Sequence, residues 1–303
     1  MPRSMKLFLA PLLVLALIGC TSPPSKPASA SAQPNEPIVR PPREPIAANL
    51  LNDAPLFAGP RDKAPLCTAT AGALQLLRFS AGRYAVQLES RDACLPATAK
   101  TREGWIDARH IDYIDTVFEP ALARVRETDE LRIDIAYAGN KIFCDAGVCK
   151  ITQPLYGKAR CYANPEVAKK LLIASHALNA RDATFKLVVL DCYRPIDVQI
   201  DMFELVSDPV WVARPAPPRY GGHNRGVAID LTIEHNGKPL DMGSAFDLFS
   251  DVSNYDASKV SAAQHANRTL LRDTMIAVGF RPYDAEWWHF SLPIDTRAMN
   301  FPL

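Results

Sequence analysis

The chain has 303 residues, of which 48% are apolar and 22% are charged, and its formal net charge is +1. This balance is typical of a globular protein, and the length allows one large domain or two smaller ones. The charge shows neither a basic excess that would favour nucleic acid nor an acidic tail, so no nucleic-acid partner is expected.

The first residues have the pattern of an export signal. Arg3 and Lys6 precede an apolar run over residues 7–18, which is too short for a membrane-spanning helix. The run leads into Leu17–Ile18–Gly19–Cys20, which resembles a bacterial lipobox. The resemblance implies a signal peptide over residues 1–19 and lipid on Cys20. It also implies anchoring on the periplasmic side of a bacterial membrane, with the outer membrane favoured. A plain secretory signal or a short membrane anchor is the alternative.

A tether and a small β-rich region follow. Residues 20–48 are rich in Pro, Ser and Ala, which predicts a flexible tether. Over residues 49–115, the β-type runs Leu74–Phe79 and Tyr84–Leu88 flank a turn at Ser80–Arg83. With the later Gly104–Trp105–Ile106 segment, this region resembles a bacterial Src-homology-3-type barrel. The resemblance implies a small all-β barrel that either binds peptidoglycan or acts as a passive spacer.

Six cysteines remain when Cys20 is set aside, and an even number in an exported chain predicts three disulfides. Six cysteines allow fifteen pairings. Nearness along the chain favours Cys67–Cys94, Cys144–Cys149 and Cys161–Cys192. No C-x-x-C pair occurs, which argues against a cysteine metal site.

Residues 117–303 mix helical and extended patterns. The predicted helices are Glu119–Glu127, a segment that starts at Asn164–Pro165 and runs through Leu178, Pro195–Val206 and Gln264–Val278. The predicted strands include Leu131–Tyr137 and Lys186–Leu190, and Ser207–Gly222 is a proline-rich long loop. Helices and mostly antiparallel strands in this order predict an α+β fold.

Two segments of this region can build a metal site with one open position. Gly221–Asp230 reads GGHNRGVAID and Glu286–His289 reads EWWH. Catalytic zinc usually takes three protein ligands and a water, with a nearby carboxylate as proton acceptor. We therefore predict one zinc held by His223, Asp230 and His289, with Glu286 as the base. From spacing alone, a surface-loop His223 and a core His289 remain equally good interpretations.

The spacing also sets conditions on the backbone. On an unbroken strand His223 and Asp230 would face opposite sides, so Asn224–Gly226 must form a turn before Val227–Ile229 enters a sheet. Glu286 and His289 are three apart, which requires a helical turn or a bent strand end.

GGHNRGVAID resembles the S-x-H-x-x-G-x-A-x-D signature of VanX-type zinc D-alanyl-D-alanine dipeptidases, and EWWH resembles their E-x-W-H segment. DIAYAGN at 134–140, DCYRP at 191–195 and MGSAFD at 242–247 are similar to further segments of that family, in the same order. One departure is Gly221, where the family has serine. The resemblance implies a hedgehog-like α+β domain that hydrolyses D-alanyl-D-alanine or related D-amino-acid dipeptides in cell-wall metabolism.

The resemblance also implies roles for single residues. Arg194 would stabilise the developing oxyanion, Asp247 would hold the substrate ammonium with Tyr137 in the same pocket, and Tyr156 would face the substrate carboxylate. A surface Arg194 paired with Asp191 or Asp197 is the alternative. Among the other histidines, His176 is expected to pack within its helix, and none is assigned chemistry.

Two other functions stay open from the sequence. The first is a D,D- or L,D-carboxypeptidase that acts on longer peptidoglycan stem peptides, which the added barrel favours and an ammonium site at Asp247 disfavours. The second is an inactive cell-wall-binding lipoprotein, which the complete set of metal ligands and base disfavours.

Overall fold

A computed structural model describes residues 38, 40, 42–89, 94, 101–139, 144–145, 148–149, 154–217 and 220–303. Residues Ile38–Leu303 form one compact unit. The predicted signal peptide, the lipidation site Cys20 and most of the predicted tether lie outside the described residues. Within the described ranges, no helix has the length and apolar character needed to cross a membrane.

The N-terminal part is built from short antiparallel strands. A five-stranded sheet has the order β6-β5-β4-β1-β7, and β2 pairs with β3. The turn predicted at Ser80–Arg83 is confirmed, because Ala81 and Gly82 both have positive φ and connect β4 to β5 as a tight hairpin. The strands are β1 Ile46–Leu50, β2 Ala54–Leu56, β3 Cys67–Ala69, β4 Gly72–Ser80, β5 Arg83–Glu89, β6 Thr101–Asp107 and β7 Ile111–Asp112.

The first strand begins earlier than expected. Ile46, Ala48 and Leu50 alternate with exposed residues, and β1 pairs with both β4 and β7. Residues 46–48 therefore belong to the sheet and not to the tether, because their period-two apolar pattern buries one face.

The C-terminal part contains a six-stranded sheet with the order β16-β17-β14-β13-β9, to which β15 adds by pairing with β14. Only β9 and β13 run parallel within it. Two further pairs, β8 with β12 and β10 with β11, are antiparallel. The strands are β8 Ala123–Val125, β9 Leu131–Ile133, β10 Cys144–Asp145, β11 Val148–Cys149, β12 Cys161–Ala163, β13 Phe185–Asp191, β14 Ala228–His235, β15 Lys238–Pro239, β16 Arg281–Tyr283 and β17 Glu286–Ser291.

Three α-helices accompany this sheet among the residues that the structure describes, so the predicted α+β fold is confirmed for the C-terminal part. They are α1 Pro165–Asn179, α2 Ile196–Leu205 and α3 Ala262–Ala277. The predicted start of α1 is confirmed: the Asn164 side chain accepts a hydrogen bond from the Glu166 amide, and proline follows the cap. A capping box between Ser261 and Gln264 begins α3.

Two local predictions are wrong. The segment Glu119–Glu127 is not helical, because its residues Ala123–Val125 pair as a strand with β12. His176 is exposed on α1 and contacts Glu130, so it does not pack in the core. In both cases the local apolar pattern was outweighed by contacts distant in sequence.

The five-stranded sheet and the C-terminal part share one apolar core. Tyr84 of β5 is completely buried, and a Cβ atom at Gly157 would collide with its hydroxyl group. Nearby, the Arg160 guanidinium donates to Asp112 at 2.8 Å. The predicted boundary near residue 116 is therefore not an interruption in the packing.

The structure confirms two predicted disulfides, Cys67–Cys94 and Cys161–Cys192. The second joins β12 to the residue after β13, close to the DCYRP segment. For the third prediction, Cys144 and Cys149 are backbone partners in the β10–β11 ladder, while their side chains lie outside what the structure describes.

Candidate metal centre and catalytic cavity

The three predicted ligands come from two neighbouring strands and one turn. Asp230 of β14 and His289 of β17 are directly opposite each other in the antiparallel ladder, which places their side chains on the same face. His223 begins a 3₁₀ turn over His223–Arg225, and Gly226 follows with φ +67°. The predicted turn before the strand is therefore confirmed, and it brings His223 back over the face that carries Asp230.

The ligand atoms converge on one point. His223 Nε2 lies 3.3 Å from Asp230 Oδ1 and 3.2 Å from His289 Nδ1, and His289 Nδ1 lies 3.0 Å from Asp230 Oδ1. Three tetrahedral zinc ligands with bonds of about 2.0–2.1 Å would be separated by about 3.3 Å. The donor set and its separations therefore fit a divalent cation such as zinc.

The surroundings fix which nitrogen of His223 faces that point. Its Nδ1 is 2.6 Å from the carbonyl oxygen of Cys192. Because a carbonyl can only accept, Nδ1 carries the proton and Nε2 keeps its lone pair for a ligand. The hydrogen bond from the Arg194 amide to the His223 carbonyl oxygen holds the same two segments together, and the Cys161–Cys192 disulfide ties Cys192 to β12.

Glu286 reaches the ligand side through a bend in β17. The register of β16 against β17 shifts between Pro282 and Tyr283, so that Tyr283 faces Glu286 while Pro282 faces Phe290. A carboxylate oxygen of Glu286 consequently lies 3.8 Å from His289 Nδ1. Of the two backbone geometries that the sequence allowed, the bent strand is the one formed.

The pKa values of the Glu286 and Asp230 carboxyl groups are shifted in opposite directions. Burial and the negative charges of Asp230 and Asp247 raise the pKa of Glu286 well above its usual range. Burial also raises the pKa of Asp230, but its contacts with His223 and His289 outweigh this effect and lower it. A divalent cation at the three ligands would offset the negative charge responsible for part of the Glu286 shift.

Arg194 is buried and held in a fixed orientation. Its Nε and Nη2 donate to Asp191 Oδ2 at 3.1 and 2.6 Å, and its Nη1 donates to Gln199 Oε1 at 2.9 Å. Arg194 is 7% exposed and Asp191 is fully buried. The partner anticipated from the sequence, Asp191, is thus correct, but the pair lies at the cavity and not on the surface.

Tyr156 is placed behind Asp191. Its hydroxyl group donates to Asp191 Oδ1 at 2.9 Å, and it is not among the residues that line the cavity. From this position it orients the carboxylate that holds Arg194, in contrast to the expected contact with a substrate carboxylate.

Tyr137 and Asp247 meet in the cavity as expected. The Tyr137 hydroxyl group donates to Asp247 Oδ2, and the Arg194 guanidinium lies 5.4 Å from the centre of the Tyr137 ring. Burial raises the pKa of Asp247 to about 7; the Tyr137 hydrogen bond opposes the rise, and the negative charge of Asp230 adds to it. Asp247 also has φ +60°, a conformation that Asp tolerates better than most residues.

The site opens into a cavity of about 290 Å³. One side is polar and carries Arg194, Asp230, Asp247, Glu286 and the two histidines. The other is formed largely by apolar residues of α2 and the proline-rich loop: Met202, Pro209, Val210, Trp211 and Ala213, with Phe249 and Tyr283 beside them. Gly221, which replaces the family serine, also lines the cavity.

Sequence reasoning missed two residues of this arrangement. Asp191 entered only as a possible surface partner, and Gln199 was not considered. Asp191 comes directly before the Cys-Tyr-Arg-Pro run, and Gln199 is an amide on an otherwise apolar helix face. Both were visible in the sequence, but neither residue type at that spacing predicts a contact with Arg194.

Three converging ligand atoms, an adjacent carboxylate and an open cavity define a metal-dependent hydrolase. The chain belongs to the peptidase M15 family, because the family model described as D-ala-D-ala dipeptidase matches residues 123–302. It is accordingly a metallopeptidase.

The chain is also similar to curated proteins named D-alanyl-D-alanine dipeptidase. It is 35% identical to that of Escherichia coli (strain K12) over 150 residues, which cover 49% of this chain and 74% of the relative. It is 33% identical to that of Streptomyces coelicolor over 165 residues, which cover 46% and 82%. The relative in Synechocystis sp. is 26% identical over 217 residues, which cover 58% and 88%.

Proposed function

We propose that this protein is a zinc-dependent dipeptidase that hydrolyses D-alanyl-D-alanine or a closely related D-amino-acid dipeptide. The observation that carries this proposal is the buried Asp247 carboxylate, which shares one cavity with the three ligand atoms and Glu286. A carboxylate in that position suits a substrate with a free ammonium group. The names of the relatives support the same substrate.

Zinc bound by His223, Asp230 and His289 would polarise the scissile carbonyl and lower the pKa of the attacking water. The Glu286 carboxylate accepts the proton of that water and delivers it to the leaving amine. Arg194, held by Asp191 and Gln199, presents its guanidinium to the oxyanion that develops on the carbonyl oxygen. Asp247 and Tyr137 bind the ammonium end and so orient the peptide bond for attack.

The test compares free D-Ala-D-Ala with its N-acetyl form. Blocking the amine leaves the Asp247 carboxylate without its partner, at a cost of about 1–3 kcal/mol or more. The free dipeptide should therefore show a kcat/KM at least about tenfold higher. Asp247→Ala should narrow that difference, mainly by slowing the free dipeptide. Equal rates on the two substrates would contradict the dipeptidase and favour a carboxypeptidase.

We further propose that the N-terminal sheet forms a Src-homology-3-like barrel that contacts peptidoglycan. Its strand content and the late Gly104–Trp105–Ile106 segment support this. Pull-down of the full-length protein on purified peptidoglycan measures the contact, and the comparison is a variant in which Leu51 and Leu66, both exposed on the N-terminal part, are replaced by serine. Equal retention of the two proteins would contradict a contact through these side chains.

The lipobox-like sequence supports a lipid anchor on Cys20 and a periplasmic location. We expect Cys20→Ser to release the protein from the membrane fraction, as judged by fractionation and immunoblotting. Continued membrane association of that variant would instead indicate an uncleaved apolar segment or a protein partner.

A further inference from the structure

A single side chain connects the Arg194 guanidinium to the loop that covers the cavity. Gln199 accepts a hydrogen bond from Arg194 Nη1 at 2.9 Å through its Oε1. Its Nε2 donates to the carbonyl oxygen of Ala213 at 2.8 Å. Gln199 is only 2% exposed, so water cannot readily replace either contact.

The two contacts use both ends of the amide. A glutamine side chain can accept at its oxygen and donate at its nitrogen at the same time, which a carboxylate or a thioether cannot do. The first turn of α2 fixes the position of Gln199, because the backbone N–H of Gln199 donates to the Pro195 carbonyl oxygen. A displacement of the loop at Ala213 would therefore move the Gln199 side chain, whose oxygen accepts a hydrogen bond from Arg194.

The loop itself forms one wall of the cavity through Pro209, Val210, Trp211 and Ala213. The amides of Trp211 and Val212 bond to the Asp208 carbonyl, and the Trp211 ring stacks on Phe249 with centroids 5.8 Å apart. The Tyr283 hydroxyl group donates to the Val210 carbonyl at 2.9 Å. Two of these partners, Phe249 and Tyr283, line the same cavity, so the loop is held against the wall of the site.

Gly221 belongs to the same arrangement. A Cβ atom at position 221 would lie 3.2 Å from the Ala213 Cβ, which is tighter than ordinary van der Waals contact. A side chain at position 221 would therefore require a shift of a few tenths of an ångström at Ala213, the residue whose carbonyl oxygen Gln199 contacts.

We propose that Gln199 is a positioning residue that couples the covering loop over residues 208–213 to the orientation of Arg194. Arg194 is aligned for the oxyanion when the loop is seated, and it loses one of its two acceptors when the loop departs. This role rests on the proposed peptidase function, in which Arg194 stabilises the oxyanion. The coupling between the loop and Arg194 is a property of the fold and can be measured without catalysis.

Two matched variants separate the contacts. Gln199→Met keeps the approximate volume and loses both hydrogen bonds. Gln199→Glu keeps an acceptor for Arg194 and loses the donor to Ala213. Each is assayed for kcat and KM on D-Ala-D-Ala and for zinc content. Hydrogen exchange is measured in the loop over residues 208–217, with the α1 peptide as the internal reference for folding.

Both variants should speed exchange in the loop about five- to tenfold, the factor expected for one lost hydrogen bond, while exchange in α1 stays unchanged. The Met variant should lose kcat by at least about tenfold. The Glu variant should keep a kcat at least about fivefold above that of the Met variant. A role in packing alone predicts the reverse order, because a buried carboxylate costs more than a thioether of similar size.

Coupling between two sites is reciprocal, which provides a test from the other end. Arg194→Met removes the donor to Gln199 Oε1, so exchange in the loop should again increase while α1 is unaffected. Unchanged loop exchange in Arg194→Met or Gln199→Met, or equal kcat in the two Gln199 variants, overturns the proposal. If the wild-type protein does not hydrolyse D-Ala-D-Ala, the proposed function fails, and the exchange measurements still decide the coupling.

Discussion

Replacing Asp247 by asparagine should stabilise the metal-free protein at alkaline pH. The wild-type carboxyl group is buried, and its pKa is raised from 3.8 to about 7. The folded protein therefore holds the Asp247 proton more tightly than the unfolded chain does. Asparagine suits the site, because it tolerates the φ of +60° and its amide oxygen can accept the Tyr137 hydrogen bond.

The sign follows from proton linkage. An acid with a raised folded-state pKa favours folding while it is protonated, and this advantage is lost as pH rises from the unfolded-state pKa through the folded-state pKa. Here that interval runs from 3.8 to about 7. At about 1.4 kcal/mol per pKa unit, ionising Asp247 lowers the free energy of unfolding by roughly 3 kcal/mol between pH 5 and pH 8. Asp247→Asn has no carboxyl group at this position, so its free energy of unfolding does not decrease in this way.

The assay is urea unfolding of EDTA-treated wild type and Asp247→Asn at pH 5 and pH 8. We expect the difference in unfolding free energy to shift by roughly 3 kcal/mol in favour of the variant at pH 8. Asp241→Asn is the control with no expected pH dependence: hydrogen bonds from Gln264 and the Gly243 amide lower the pKa of that exposed carboxyl below 3.8, so it is ionised in the folded and unfolded states at both pH values. Parallel pH profiles for wild type and Asp247→Asn would refute the reasoning.

Three further changes test the ligands, the base and the junction with the N-terminal sheet. His289→Ala should abolish stoichiometric zinc binding in metal analysis, whereas His176→Ala, at an exposed position of α1, should retain it. Glu286→Gln should keep zinc but lose about 10²–10⁴-fold in kcat, the usual contribution of a general base; activity within a few-fold of wild type would exclude that role. Gly157→Ala should destabilise the protein by about 1–3 kcal/mol in urea unfolding, because the added Cβ meets the Tyr84 hydroxyl. Combining Tyr84→Phe with Gly157→Ala should recover part of the lost free energy of unfolding. If the two substitutions instead change this free energy additively, the two groups do not collide.

The metal ligands could be predicted because each belongs to a short segment with a characteristic order of residue types. His223, Asp230 and His289 were identified without knowledge of strand pairing, and the structure places them together. Local signals also located the helices of the C-terminal part: Asn164 caps the start of α1, and Pro195 directly precedes α2. These signals lie within short stretches of sequence, so they can be recognised without knowledge of the tertiary contacts.

Contacts between distant segments could not be predicted in the same way. Residues 119–127 have an apolar pattern compatible with a helix, but pairing with β12, almost forty residues later, makes part of the segment a strand. The interaction of Gln199 with both Arg194 and Ala213 depends on where a proline-rich loop folds back. No residue periodicity predicts where this loop folds back, since the loop has no regular structure of its own.

The irregular backbone positions are what make the site possible. In β13, Val189 faces Leu231 whereas Asp191 faces Asp230, so two residues of β13 correspond to one of β14. Without this bulge Asp191 would share the core face of Val189, because side chains alternate along a strand. The bulge turns Asp191 to the face of Asp230, where it can hold Arg194.

The turn that ends at Gly226 brings His223 to the face of Asp230, and the bend in β17 brings Glu286 to that face. Residue spacing requires such breaks, since Glu286 and His289 on a regular strand would face opposite sides. The sequence thus predicted that the backbone must deviate near His223 and between Glu286 and His289. It did not predict the third deviation, at Leu190, because nothing had assigned Asp191 to the site. A deviation can be inferred from spacing only when both of the residues that it brings together are already known.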